Sequence, residues 1–371
     1  MYFWLINVIA AVILCIICSG IIIPQILLIS FRKNLFDVPD ARKIHTLAVP
    51  RLGGLSFMPV VFFSCVLMLG IDLCFGQNEL ISVLIPEAKT LAFLACAVLM
   101  LYVIGMADDL IGIKYRAKFV VQMICAVFMI AGGVWISSYQ GILGFWDISP
   151  WFGYPFTVVV MIYILNAVNL IDGIDGLCSG LCSVALLVYG VVYFIAGQYV
   201  YSILACCTFA VLVPFFYFNV FGDATKRKKI FMGDTGSLTL GMMISFLAIH
   251  IEQLPSMPEL NNANMCAIAF VPLLIPCFDV LRVYGERIFF HQNPFLPDKR
   301  HIHHKLLELG LPQRVVMVVI VATSLLFTFV NIVLSMYVEI TVLLFSDMAI
   351  WLIAMIGLNK LIAKRKLRDL N

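Results

Sequence analysis

Long apolar stretches, each closed by a short polar break, follow one another along nearly the whole chain. A helix rises 1.5 Å per residue and needs about 20 apolar residues to cross a bilayer core. Against that length the pattern predicts about eleven spans. They fall at 3–30, 53–73, 91–107, 118–136, 152–168, 177–196, 199–219, 235–251, 263–281, 313–337 and 341–361. Pro272 and Pro276 lie in the ninth and predict a kink there. No internal repeat or low-complexity segment interrupts the series. The expected fold is all-α: a polytopic integral membrane protein forming one membrane-embedded domain over 1–371, with a basic tail at 360–371. The first apolar run has no basic residue before it and is too long for a signal peptide, so it reads as a retained span.

Composition agrees with a lipid solvent. Of 371 residues 63% are hydrophobic and 12% charged, where soluble domains carry roughly 25% charge. Most of the twelve cysteines sit inside apolar runs and behave as small hydrophobes rather than a disulfide framework. Cys15 and Cys18 form a C-x-x-C without a second pair, inside a continuous apolar run, which argues against zinc or redox chemistry.

Charge gives the chain a direction. Of the 24 Lys and Arg, all but Lys89 lie in the first, third, seventh and ninth connections and the tail. Positive residues stay cytoplasmic. The expected topology is therefore a multi-pass protein of the inner (cytoplasmic) membrane, N-terminus outside and C-terminus inside. The tail is expected to anchor the last helix on anionic membrane lipid. No nucleic-acid partner is expected.

Five polar clusters fall on the side this map calls cytoplasmic, and the opposite connections hold nothing comparable. They are "FDVPDARKIHTLAVPRLGG" (36–54), "ADDLIGIKYRAKF" (107–119), "NAVNLIDGIDGL" (166–177), "FMGDTGS" (231–237) and "PFLPDKRHIHHKLLELGL" (294–311). Together they predict one cytosol-facing polar cleft built from several helix ends. Asp108 and Asp109 are adjacent carboxylates that repel each other and attract a cation; taken alone they also fit ordinary helix capping. Lys118 follows as a phosphate contact. Asn166, Asn169 and Asp172 recur at a spacing that places them near one helix face. With Asp175 they suit a hard cation and a ligand rich in hydroxyl and amide groups; the alternative is polar contact between helices. "GDTGS" is a turn that opens a helix, so its backbone N–H groups are expected to face a bound anion. The carboxylate of Asp234 would repel that anion unless a divalent cation lay between them; otherwise Asp234 is a plain helix cap. His301, His303 and His304 form an H-x-H-H among basic residues. No cysteine is near, so a cationic, hydrogen-bonding clamp on a diphosphate is expected in preference to zinc.

The ordered set "DD", "NxxNxxDGxDGL", "FMGDTGS" and "HIHHKL" resembles the polyprenyl-phosphate N-acetylhexosamine-1-phosphate transferases, over about Asp37 to Leu311. The stretches 36–54 and 297–311 look like the undecaprenyl-phosphate N-acetylglucosaminyl-1-phosphate transferase branch. The muramoyl-pentapeptide translocase branch usually has an uninterrupted His triplet, whereas Ile302 divides it here. The resemblance implies transfer of a sugar-1-phosphate from a UDP-sugar donor to a polyprenyl phosphate acceptor with release of UMP. It implies Mg²⁺, with Mn²⁺ as a substitute, held by Asn169 and Asp234. Asp108 and Asp109 would handle the lipid phosphate, Asp172 and Asp175 would lie near the nucleotide, and together these four are the implied catalytic set. Lys118, Asn166, His45, Arg300, His301, His303 and His304 would bind substrate. A homodimer is among the arrangements this allows. One departure is the strongly basic connection "NVFGDATKRKKIFMGD" before the Asp234 turn.

Two rival classes make different demands. A membrane prenyltransferase would need a second acid-rich motif. A transporter would place ionisable residues at mid-membrane, where the sequence offers Asp347 as the one clear candidate.

Overall fold

The computed structural model describes residues 2–36, 49–76, 79–291 and 300–369. No β-strand occurs among them, and one isolated bridge pairs Ser138 with Asp147. The helices are α1 (Tyr2–Arg32), α2 (Phe57–Cys74), α3 (Glu79–Ile111), α4 (Tyr115–Gly132), α5 (Pro150–Ile171), α6 (Leu177–Ile195) and α7 (Tyr199–Phe216). They continue as α8 (Gly233–Glu252), α9 (Met265–Phe270), α10 (Leu274–Phe289), α11 (Ile302–Glu308), α12 (Gln313–Leu334) and α13 (Ile340–Asp369). Among the described residues, 11 helical stretches are long and apolar enough to cross a membrane. They correspond one for one to the spans read from the sequence. The ninth is α9 and α10 joined by a 3₁₀ turn, Val271–Leu273, at Pro272. A ring without an N–H breaks the helix there, as expected.

Boundaries shift by a few residues along the chain and most at three places, the first being α10, which runs to Phe289 rather than 281. α3 begins at Glu79 rather than near residue 91, so Lys89 lies within a helix and not in a connection. Polar residues in its first turns have partners: Glu87 accepts from the Tyr201 hydroxyl, and Thr90 Oγ1 donates to the Gly132 carbonyl at 2.8 Å. Such pairing keeps the helix intact where an apolar count ends it. α13 runs on to Asp369, so residues 360–369 of the basic tail continue the last span.

α8 forms the centre. Of its membrane-crossing stretch 89% is buried by other helices, against 22% for α13. It packs on α3, α5, α6 and α9. Inside lipid the hydrophobic effect does not drive helices together, and close packing of small residues does. α8 accordingly buries Thr235, Gly236, Ser237, Thr239, Gly241 and Ser245. Two of its hydroxyls return to its own carbonyls, Thr239 to Thr235 at 2.7 Å and Ser245 to Met242 at 3.1 Å.

Buried acids occur within or at the ends of the membrane-crossing stretches. Asp347 is buried and accepts from Asn331 at 3.2 Å. Asp72, Glu252 and Asp279 are buried as well.

Candidate active site

The N-terminus of α8 is pinned by the segment that follows Val49. Phe231 N–H donates to the Pro50 carbonyl at 2.8 Å, Gly53 N–H to Phe231 at 2.9 Å and Gly54 N–H to Met232 at 2.8 Å. The backbones touch here. A Cβ on Gly54 would lie 2.1 Å from Gly236 N, so no side chain fits. Gly233 opens α8 at φ +75°, the left-handed region glycine enters without cost. "VPRLGG" and "FMGDTGS" are therefore one structural unit.

The first amides of α8 are not presented to a ligand, contrary to the expectation from the sequence. Asp109, near the end of α3, accepts from Asp234 N–H at 2.7 Å, Thr235 N–H at 2.9 Å and the Thr235 hydroxyl at 2.6 Å. A carboxylate beside a helix N-terminus satisfies orphan donors and the helix dipole together. Asp108 turns elsewhere, accepting from Ile113 N–H and from Lys118 Nζ, each at 2.6 Å. Lys118 also pairs with Asp234, so its ammonium bridges two carboxylates. Asn169 Nδ2 donates to Asp234 at 3.2 Å and to Ser237 at 2.8 Å. Ends of α3, α4, α5 and α8 thus meet at Asp234.

Beside this junction is a cavity of about 160 Å³, lined among others by Arg51, Asn169, Asp172, Asp175, Asn219 and Asp234. Asp172 caps the C-terminus of α5 and is exposed to the cavity. Loss of hydration inside the cavity, then the nearby carboxylates of Asp234, Asp175 and Asp109, pushes its pKa up to about 7 against the opposing pull of Arg51. Asp175 is held by Lys229 at 2.6 Å. Asn219 ties the walls together, accepting from Gly176 N–H at 2.7 Å and donating to the Ile230 carbonyl at 2.9 Å. The cavity collects more acid than its cations balance, and its donors are hard carboxylate and carboxamide oxygens. That donor set fits Mg²⁺ rather than a thiophilic metal. Among the described residues no three His, Cys, Asp or Glu gather to hold a metal by themselves. A Mg²⁺ site completed by substrate phosphates needs only one or two protein carboxylates.

The histidine segment lies directly behind the cavity wall. A Cβ on Gly173 would come 2.3 Å from His303 Nε2. His303 is 1% exposed, and neither ring nitrogen has a hydrogen-bond partner among the described residues. Burial, with His304 and His301 close by, pushes its pKa down to about 3. His303 is therefore neutral at physiological pH and packs against the loop. His301 precedes α11 and bonds through Nδ1 to Asp279 Oδ2 at 2.8 Å. The Arg300 carbonyl accepts from Arg282 at 2.6 Å. His304 stands with its ring 4.2 Å from that of His303.

Asn166 does not join Asn169 and Asp172 at the cavity. Its Nδ2 donates to Gln122 at 2.9 Å and to the Ile162 carbonyl at 2.7 Å. The intervening turn of α5 rotates it toward α4, which is the helix-contact role the spacing also allowed. His45 lies outside the described residues. Sequence reasoning did not single out Arg51, Asn219, Lys229, Ser237 or Asp279. Asn219 and Asp279 had a usable signal, a lone polar residue in an apolar run at a span's end; Arg51, Lys229 and Ser237 lay in polar stretches already marked, with nothing to set them apart from their neighbours.

A profile of glycosyl transferase family 4 matches residues 91–252, which span Asp108 through Asp234. An undecaprenyl-phosphate alpha-N-acetylglucosaminyl 1-phosphate transferase of Escherichia coli O157:H7 is 30% identical over 298 residues, 80% of this chain and 75% of that protein. A probable undecaprenyl-phosphate N-acetylglucosaminyl 1-phosphate transferase of Bacillus subtilis (strain 168) is 30% identical over 333 residues, 89% of this chain and 86% of that protein. The Yersinia pestis protein bearing the first of these names is 28% identical over 308 residues, 82% of this chain and 78% of its own.

Proposed function

The chain belongs to glycosyl transferase family 4, and from that premise we propose that it transfers a sugar-1-phosphate from a UDP-sugar to undecaprenyl phosphate. The sugar is N-acetylglucosamine, as in the names of the relatives. UMP leaves, and the product is the first lipid-linked intermediate of a cell-surface polysaccharide. One observation carries the reading: Asn169, Asp172, Asp175 and Asp234 line a single cavity at the ends of membrane-crossing helices. A lipid phosphate anchored by its tail and a soluble nucleotide-sugar can meet only at such a depth.

The cavity's 160 Å³ is below the roughly 300–1,000 Å³ that encloses whole ligands. It suits a diphosphate, with the nucleoside and the prenyl tail outside it. The lipid phosphate oxygen attacks the β-phosphorus in line, and the bond to UMP breaks. A phosphate monoester with a second pKa of about 6 is mostly dianionic at neutral pH. Positioning therefore matters more than a strong base. Asp109 fixes the start of α8 and so places Asp234. Lys118 supplies a positive charge at the junction, and Asp108 orients it. Asp234, with Asn169 beside it, would hold Mg²⁺, which when bound neutralises diphosphate charge and stabilises departing UMP.

The site faces the cytosol of the inner membrane, N-terminus outside and C-terminus inside, because Lys and Arg cluster at that end. Single-cysteine labelling tests this: Gly112→Cys and Thr225→Cys should react from inside only, Gln140→Cys and Met257→Cys from outside only. The function itself is tested by UMP release from purified protein with undecaprenyl phosphate, Mg²⁺ and a panel of UDP-sugars. Turnover with UDP-N-acetylglucosamine is the expected result. Turnover with a muramoyl-pentapeptide donor alone would move the chain to that branch. Lipid-independent uptake into vesicles, without UMP release, would make it a transporter.

A further inference from the structure

α10 contains a carboxylate with no assigned role. Asp279 is 0% exposed, and its contacts converge on the histidine segment. Oδ2 faces His301 Nδ1 at 2.8 Å. Oδ1 accepts from Ile302 N–H at 3.0 Å and from Arg282 at 2.7 Å. Arg282 then donates to the Arg300 carbonyl and to Glu286, the latter at 2.8 Å. Residues 300–302 are thereby fastened to α10. A neutral amide could do the fastening, and burying a charge is costly even when it is paired. What a carboxylate adds is that it has no hydrogen to donate. Opposite Oδ2, the Nδ1 of His301 must carry the proton. The neutral ring is thereby fixed as the Nδ1–H tautomer, and Nε2 is left as its unprotonated nitrogen. The ring is held further by His303, parallel to it within 2° at 5.9 Å, and His303 packs on Gly173 of the cavity wall.

We propose that Asp279 is a positioning residue for the transfer reaction: it fixes the tautomer and orientation of His301, so that Nε2 is the atom His301 offers to the substrate. This rests on the proposed function for the reaction, but not for the tautomer. Aspartate-to-asparagine substitution isolates the effect. Oδ1 sits between two donors, so in Asp279→Asn the amide oxygen stays there and the NH₂ turns to His301. That reverses the hydrogen bond and moves the proton to Nε2.

Solid-state ¹⁵N NMR of histidine-labelled full-length protein in lipid reads the proton position directly. The chain has 6 His, and the spectrum of His301→Gln identifies the one of interest. In the unmodified protein His301 should be protonated on Nδ1; a proton on Nε2 alone overturns the proposal, whatever becomes of the variants. Asp279→Asn should show the reversed tautomer. It should also lower kcat/KM for UMP release by about tenfold or more, as loss of an orienting partner does. In a His301→Gln background the same change should cost less than about twofold, since the pair acts as a unit. Additive losses would mean that Asp279 acts independently of His301, and the proposal fails. A chain that releases no UMP from any UDP-sugar refutes the proposed function instead, and the NMR result still decides the tautomer.

Discussion

α8 carries an acid near each end, and the two have opposite surroundings. Asp234, in the first turn, meets Lys118, Asn169 and an amide cap supplied by Asp109, all from other helices. Glu252, at the far end, is 1% exposed and forms no ion pair among the described residues. Neutral amides close that end. Gln140 Nε2 donates to the Glu252 carbonyl at 2.6 Å, and Gln253 Nε2 to the carbonyls of Gly133 and Trp135 at 3.1 and 3.0 Å. Both ends solve the same problem of unpaired backbone groups. One does so with amides and stays shut, the other with a carboxylate and draws charge to it. Burial of an acid therefore does not mark the site. Convergence of charges from several helices beside a cavity does.

Substitution at the two acids tests this most severely. Asp234→Ala should lower turnover at least a hundredfold, about 3 kcal/mol in barrier, with the protein still inserted. Glu252→Gln should change UMP release by less than about twofold. Equal losses at both ends would break the comparison.

The neighbouring pair should separate next. Asp108→Asn and Asp109→Asn should each lower activity, and the double variant should lose less than the product of the single effects, since both act through Asp234. Only Asp109→Asn should also lower thermal stability, by about 1 kcal/mol, the usual worth of a helix cap. Equal melting temperatures for the two would show that Asp109 is not the cap. Gly54→Ala tests the close approach at the same end. A methyl group forced against Gly236 should destabilise by about 1–3 kcal/mol, as overpacking does, and full-strength folding would show that the two segments can separate.

The smallest effect concerns pH. The pKa of Asp172 is raised to about 7 in the folded chain, above the ordinary value of about 3.9. Between those values the unfolded chain has released a proton that the folded chain keeps. Stability attributable to this residue is therefore full below about pH 4, falls as pH rises, and levels off above about 7. Asp172→Asn should flatten that slope and raise the melting temperature at pH 8 relative to the unmodified protein. An unchanged slope would mean that the folded chain does not hold the Asp172 proton.

Much of this molecule was legible one residue at a time. Spans follow from the length of apolar runs, a local property that lipid imposes on any chain. The kink at Pro272 follows from a missing N–H. Asp108, Asn169, Asp172 and Asp234 stood out because polar residues at the ends of apolar runs need a reason. The roles within the site were not legible, since they depend on which helix end abuts which. Only the meeting of α3 with α8 turned Asp109 into a cap and left Asp108 to Lys118. Only the rotation of α5 sent Asn166 to Gln122 while Asn169 went to Asp234. Burial behind Gly173 made His303 a neutral packing residue, although its sequence neighbours are basic. Asp279 gained its partner from a segment on the far side of a connection. Sequence fixes which groups a helix end carries, by composition and period. Which of them share a hydrogen bond is decided by tertiary packing, because a hydrogen bond is a matter of a few ångströms between elements that are distant along the chain.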